Sequence, residues 1–220
     1  MKLLIFDFDG PINDLTSAKK VVADDVAKDL NLKWSKENSW ELINYIDQIY
    51  EAEKIYNYKE LINKSLSKMA VNKLVYLSDQ EIDSFSESFS EKINKVQSIS
   101  KDIQSIIKEL KRKYEGVNIC IYTSQTESNV TKLLTASGIE LRLFDKIYDR
   151  NYFEEQKPST VNLLKICGDF NVTPEEVTVI GDNVAVDLAP ASYLNMRTIL
   201  VNPFVTQSIS SLHEIKEVLE

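Results

Sequence analysis

Between Pro11 and Gly116 the chain contains neither glycine nor proline, the two residues that most readily interrupt regular structure. An interval so long, rich in Lys, Glu, Ser and Ile, is hard to reconcile with a sheet and its turns and reads as successive helices. Val22, Val26 and Leu30 form one apolar stripe, Trp40, Ile43, Ile46 and Ile49 a second, and Leu61, Ile62, Leu66 and Met69 a third. Ser78-Asp-Gln-Glu81 is a capping box, followed at helical spacing by Ile82, Phe85, Phe89, Ile93 and Val96. Each of these helices is too short to be stable alone, so a bundle over residues 15–95 is expected. Most of its aromatic residues, Trp34, Trp40, Tyr45, Tyr50, Tyr56, Tyr58 and Tyr76, are assigned to packing rather than to a substrate pocket. After Ser100, an amphipathic helix carries Ile103, Ile106, Ile107 and Leu110.

The flanks obey a different grammar. Leu3 to Phe6 is a continuous apolar run, as in a strand buried on both faces of a sheet, and Gly10-Pro11 turns the chain soon after it. Past Gly116, strands are expected at 117–122, 143–148, 177–180 and 198–201. Helices are expected at 128–137, with Gly138 as the left-handed residue after it, at 158–167, with Pro158 in its first turn, and at 187–195. Thr173-Pro174 gives a further cap signal, and Ser211-Leu-His-Glu214 caps a terminal helix. Repeated strand–helix units imply an α/β fold, a doubly wound parallel sheet built from residues 1–14 and 96–220, with the bundle inserted into it.

The formal net charge of -8 opposes binding to nucleic acid or to an anionic membrane, both of which need a basic surface. The two cysteines, Cys120 and Cys167, lie in apolar surroundings without metal-type spacing and are read as reduced core residues. The core strand stands where a secretory signal would, and no apolar segment approaches the length needed to span a bilayer. A cytoplasmic protein is expected. The sole histidine, His213, is assigned to the surface of the terminal helix.

Chemistry-bearing residues collect at the ends of the expected strands, where open α/β sheets bind ligands. Asp7 and Asp9 follow the first strand, Thr123 and Ser124 the second, and Asp182 and Asp187 the fourth. Lys157 stands just before a helix, where the dipole disfavours a cation unless an anion accompanies it.

Taken in order, these stretches resemble the four motifs of the haloacid dehalogenase-like hydrolases. Leu3-Leu-Ile-Phe-Asp-Phe-Asp-Gly10 is similar to the first motif, four apolar residues and then D-x-D-G, with Pro11 where Thr or Val is commoner. Ile119-Cys-Ile-Tyr-Thr123, Lys157 and Val179-Ile-Gly-Asp182 with Asp187 resemble the second, third and fourth. The resemblance implies a Rossmann-like core with a helical cap, in the branch of phosphoglycolate phosphatase and β-phosphoglucomutase. It implies Asp7 as nucleophile, Asp9 as general acid and base, and Mg²⁺ held by Asp7, the Asp9 carbonyl and Asp182, with Asp187 in or just outside that shell. Thr123, Ser124, Lys157 and Gly10 would hold the phosphoryl group. The implied activity is hydrolysis of a small phosphorylated metabolite through an aspartyl phosphate, cap closure excluding water, by a monomer or homodimer.

The rival readings are a phosphomutase of the β-phosphoglucomutase type, a 2-haloacid dehalogenase, a phosphonatase and a non-catalytic phosphometabolite-binding protein. The mutase lacks its histidine after the first motif, where Lys19 and Lys20 stand; those same lysines leave the phosphonatase open. A dehalogenase needs neither Asp9 nor Asp182. Asp7, Asp9, Lys157 and Asp182 are all present, which disfavours a scaffold that has lost catalysis.

Overall fold

The computed structural model describes residues 1–96, 99, 102–201, 208, 214, 215 and 219. The chain divides into two compact units, Met1–Asp14 with Ser98–Glu220, and Leu15–Gln97.

In the first unit a parallel sheet holds β1 (Leu3–Phe6), β2 (Asn118–Tyr122), β3 (Lys146–Tyr148), β4 (Val177–Gly181) and β5 (Arg197–Leu200), in the order β3-β2-β1-β4-β5. Central β1 pairs with both β2 and β4, Leu3 lying opposite Asn118 on one side and Val177 on the other. Its four side chains are buried and alternate between faces, which is why the run is apolar at every position. Leu4 and Phe6 pack with Ile119 and Ile121 and with α5 (Asp102–Lys113) and α6 (Glu127–Ala136). Leu3 and Ile5 join Cys120, Tyr148 and Val179 against α7 (Thr160–Phe170) and α8 (Ala189–Tyr193). The order reverses at β1: β2 and β3 lie on one side and β4 and β5 on the other. The crevice at the carboxyl ends of β1 and β4 is thus a topological switch point.

Local chemistry moves several expected boundaries. The fourth strand is followed by a π-helical turn, Val184–Leu188, and then by α8, rather than by one helix over 187–195. Asn183 causes this: its side chain accepts from the Ala185 and Val186 amides at 3.0 and 3.1 Å, while its carbonyl accepts from Asp187 at 2.9 Å. Pro190 then stands where α8 needs no amide donor. Helix α7 starts at Thr160, not Pro158, because the extended Ser159 caps it by accepting from the Asn162 amide at 3.2 Å. The third strand is shorter than expected, Leu141–Leu143 being a 3₁₀ turn. Thr173 precedes only a 3₁₀ turn, Pro174–Glu176. Gly138 has the positive φ of +74° expected after α6. Ser100, Ser211 and His213 lie outside the described residues; Ile215 and Leu219 are buried in the core.

The second unit is all helical: α1 (Leu15–Asp29), α2 (Lys36–Glu53), α3 (Tyr58–Val71) and α4 (Asp79–Val96). Val22, Val26, Ile46, Ile49, Leu61, Leu66, Met69, Phe85 and Phe89 form its core, while Val96 at the end of α4 is exposed. The Ser78 amide donates to Glu81 Oε2 at 2.7 Å, one half of the capping box that begins α4. Trp34, Tyr45, Tyr50 and Tyr58 pack against this core; Tyr56 and Tyr76 are exposed. Lys19 is buried and paired with Asp47 at 2.7 Å, and Lys20 pairs with Asp24 at 2.9 Å. Among the described residues no helix is long and apolar enough to cross a membrane.

Candidate active site

Asp7 is the first residue past β1, and its amide still donates to the Ile180 carbonyl of β4 at 2.8 Å. The backbone pairing that aligns these strands therefore sets Asp7 beside the end of β4, where Asp182 emerges. Oxygens of Asp7, Asp182 and Asp187 converge to within 4.8 Å of one another. Two glycines make this approach possible. A Cβ on Gly10, whose φ is +97°, would lie 2.4 Å from Asp182 Cγ, and one on Gly181 would lie 2.5 Å from Asp187 Cβ.

Lys157 enters from the loop before α7 and is buried. Its Nζ donates to Asp7 Oδ1 at 2.7 Å and Asp187 Oδ1 at 2.8 Å, and lies 4.6 Å from the ring centroid of Tyr122. The Asp7 carboxyl is held well above the usual carboxylate range. Burial is the main cause; Lys157 opposes it, while Asp187, Asp182 and Asp9 add repulsion. Burial alone would lower Lys157, but the carboxylates of Asp187 and Asp7 prevail and raise it, so it stays an ammonium.

Three carboxylates with only hard oxygen donors suit Mg²⁺, and a divalent cation would relieve the repulsion gathered at Asp7. Their engagement differs. Asp187 meets Lys157 through Oδ1 and accepts from the Asn183 amide through Oδ2 at 3.2 Å, so both its oxygens already have donors.

Asp9 has a different environment. Asn13 Nδ2 donates to its Oδ1 at 2.7 Å and Gln125 Nε2 to its Oδ2 at 2.6 Å. The intervening turn uses the amides of Gly10, Ile12 and Asn13, so it makes no demand on the amide that Pro11 lacks. The Gly10 amide donates to the Asn13 carbonyl at 2.8 Å and is thus engaged within the turn, not directed outward. Thr123 is buried at the end of β2, its hydroxyl accepting from the Gln125 amide at 3.1 Å, and Ser124 is half-buried beside it.

The structure thus gathers Asp7, Asp182, Asp187 and Lys157 into one cluster and links Asp9 to the Thr123 segment through Gln125. It also enlists residues that sequence reasoning passed over. Tyr122 reads as the last residue of an apolar strand, yet its ring faces Lys157 and its hydroxyl accepts from Asn162 Nδ2 at 2.9 Å. Asn13, Gln125 and Asn183 are common turn residues; only the position of Gln125 in the polar Thr123-Ser-Gln-Thr126 segment after a buried strand hinted at more.

Solved structures share this architecture. A predicted phosphoglycolate phosphatase from Haemophilus somnus 129PT is 18% identical over 100% of this chain and 98% of its own, with a TM-score of 0.66. The magnesium-bound putative HAD-hydrolase YfnB from Bacillus subtilis is 18% identical over 99% and 98%, with a TM-score of 0.70. A 2-haloacid dehalogenase from Pseudomonas syringae pv. Tomato DC3000 is 17% identical over 100% and 98%, with a TM-score of 0.53. At such identities these likenesses establish the fold. No curated protein sequence matches the chain. The family model for haloacid dehalogenase-like hydrolases matches residues 4–201, spanning every strand end described above, and the chain belongs to that family.

Proposed function

We propose that this hydrolase is a Mg²⁺-dependent phosphatase that takes a small phosphorylated metabolite through an aspartyl phosphate on Asp7. The observation that carries this reading is the buried Lys157 ammonium held on Asp7, with Asp182 alongside. A phosphate monoester is an anion, and a carboxylate nucleophile repels it unless positive charge is built into the site. A bound Mg²⁺, held by Asp7 and Asp182 with the Asp9 carbonyl, would supply the rest of that charge.

Asp7 attacks phosphorus as the bond to the substrate oxygen breaks, and Asp9 gives its proton to the departing alcohol. Asp9, now a carboxylate, takes a proton from water; the water oxygen attacks phosphorus, the Asp7–phosphorus bond breaks and inorganic phosphate leaves. Thr123 and Ser124 would hold phosphoryl oxygens. Lys157 keeps Asp7 oriented, and Asp187 keeps Lys157 in place. A halide departs without a proton, so a dehalogenase would leave Asp9 idle.

In this reading residues 1–14 and 96–220 form the catalytic core and residues 15–95 the cap. The protein acts in the cytoplasm as a monomer or homodimer, without nucleic-acid or membrane partners; the acidic charge and two free buried cysteines support that setting. The test is hydrolysis of p-nitrophenyl phosphate and a panel of phosphorylated metabolites. Activity should require Mg²⁺ and vanish in Asp7→Asn. Turnover that survives chelation or that substitution overturns the proposal.

A further inference from the structure

The two motif aspartates are held by different means. Asp7 is tied to an ammonium, whereas Asp9 receives one neutral amide on each oxygen, Asn13 Nδ2 at 2.7 Å and Gln125 Nε2 at 2.6 Å. These donors come from different elements, the turn after β1 and the loop after β2. A donor on each oxygen, from two different elements, fixes the plane of a carboxylate. Amides orient the group without lending it a charge.

Gln125 is itself built in. Its amide donates to Thr123 Oγ1 at 3.1 Å, and its carbonyl accepts from the Arg150 amide at 3.1 Å, so its backbone is fastened to the ends of both β2 and β3. A glutamine amide could face Asp9 with either end. Here Asn129, one turn into α6, donates Nδ2 to Gln125 Oε1, which leaves Nε2 facing Asp9.

We infer that Gln125 is a positioning residue: resting on the phosphatase reading, it aims the Asp9 carboxyl at the leaving oxygen, with Asn129 setting the orientation of its amide. Its contribution should follow how much the leaving group needs a proton. Phenyl and p-nitrophenyl phosphate differ little in shape, but phenolate is about as poor a leaving group as a tyrosinate, whereas p-nitrophenolate departs readily.

The experiment measures kcat and KM for both esters with Mg²⁺ in the parent and in Gln125→Met, which removes the donor at similar volume. For phenyl phosphate kcat should fall about 10- to 100-fold, the scale of a misaligned general acid, while for p-nitrophenyl phosphate it changes less than about 3-fold. KM should move little for either, since Gln125 is not assigned to the phosphoryl group. Gln125→Leu, likewise uncharged and without a donor, carries the same expectation should the Met variant not fold. Equal losses on both esters, or no loss on either, overturn the role of Gln125 alone. A parent protein that hydrolyses neither ester nor any member of the metabolite panel overturns the phosphatase reading and this role with it.

Discussion

Replacing Lys157 with methionine tests the charge arrangement independently of catalysis. The ammonium lies 2.7 Å from Asp7 and 2.8 Å from Asp187, its side chain only 5% exposed, so water cannot replace it. Lys157→Met keeps the volume and leaves two buried carboxylates without their shared cation, at a cost of about 3–5 kcal/mol. In a chain of this size each kcal/mol moves Tm by about 2–4 °C, so the variant should melt on the order of 10 °C below the parent. The pH dependence has a definite sign. Asp7 titrates above its ordinary value in the folded protein because burial disfavours its charge, an effect Lys157 opposes. Without the lysine it rises further. A folded pKa above the unfolded one means that the native state gains a proton the unfolded chain does not hold. The penalty is therefore complete above the folded pKa and is lifted as pH falls toward the unfolded value. Thermal denaturation with chelator present, at pH 8 and pH 5, should show the larger deficit at pH 8. A deficit under about 1 kcal/mol, or one that grows toward pH 5, would mean that desolvation of the lysine cancels its attraction to the pair, and the reasoning would fail.

Asp182→Asn removes a like charge from beside Asp7; in chelator it should be as stable as the parent or about 1 kcal/mol more so, while losing activity and the rise in Tm that scanning fluorimetry of the parent with Mg²⁺ should show on the proposed reading. Gly10→Ala strains a backbone at φ +97° and drives Cβ into Asp182, so it should cost about 1–3 kcal/mol on denaturant titration and raise the Mg²⁺ concentration needed for half-maximal turnover. Asp9→Asn cannot donate a proton, so phenyl phosphate turnover should drop about 10²- to 10⁴-fold, more than in Gln125→Met, with a smaller drop for p-nitrophenyl phosphate; equal drops would remove Asp9 from the role of acid.

The parts of this fold legible in the sequence are those where one physical requirement acts along the chain. Leu3 to Phe6 is apolar throughout because β1 is covered on both faces, and residues 12–115 lack breakers because they build helices. Asp7 and Asp182 could be picked out because each ends an apolar strand run, whereas Lys157, in a polar stretch before a helix, was marked only by its resemblance to the family's third motif. What stayed hidden depends on partners distant in sequence. Gln125 and Asp9 are far apart along the chain, and no local pattern marks an amide that crosses to a neighbouring strand end. Tyr122 sits in an apolar strand and satisfies the pattern of a core residue while also facing Lys157. The π-helical turn escaped notice because Asn183, an ordinary helix cap by type, also holds Asp187 through its amide and carbonyl and so widens the turn.

Strand order explains why Lys157 and Asp7 meet. After β3 the chain must pass β2 and β1 to reach β4 on the far side, and α7, packed on the face that buries Ile5 and Val179, makes the crossing. The start of α7 thus comes to the switch point, and Lys157 lies just before its Ser159 cap. At a helix N-terminus the dipole is positive, so a buried ammonium there is disfavoured twice over, by burial and by the dipole. It is tolerable only where anions answer it, and the two available are Asp7 from β1 and Asp187 from the π-helical turn after β4. Those carboxylates in turn repel each other and are desolvated together. Neither half of the cluster is a comfortable buried arrangement by itself, and each makes the other tenable. A site so balanced has charge of both signs in place before a substrate arrives, with little reorganisation left for a reaction to drive.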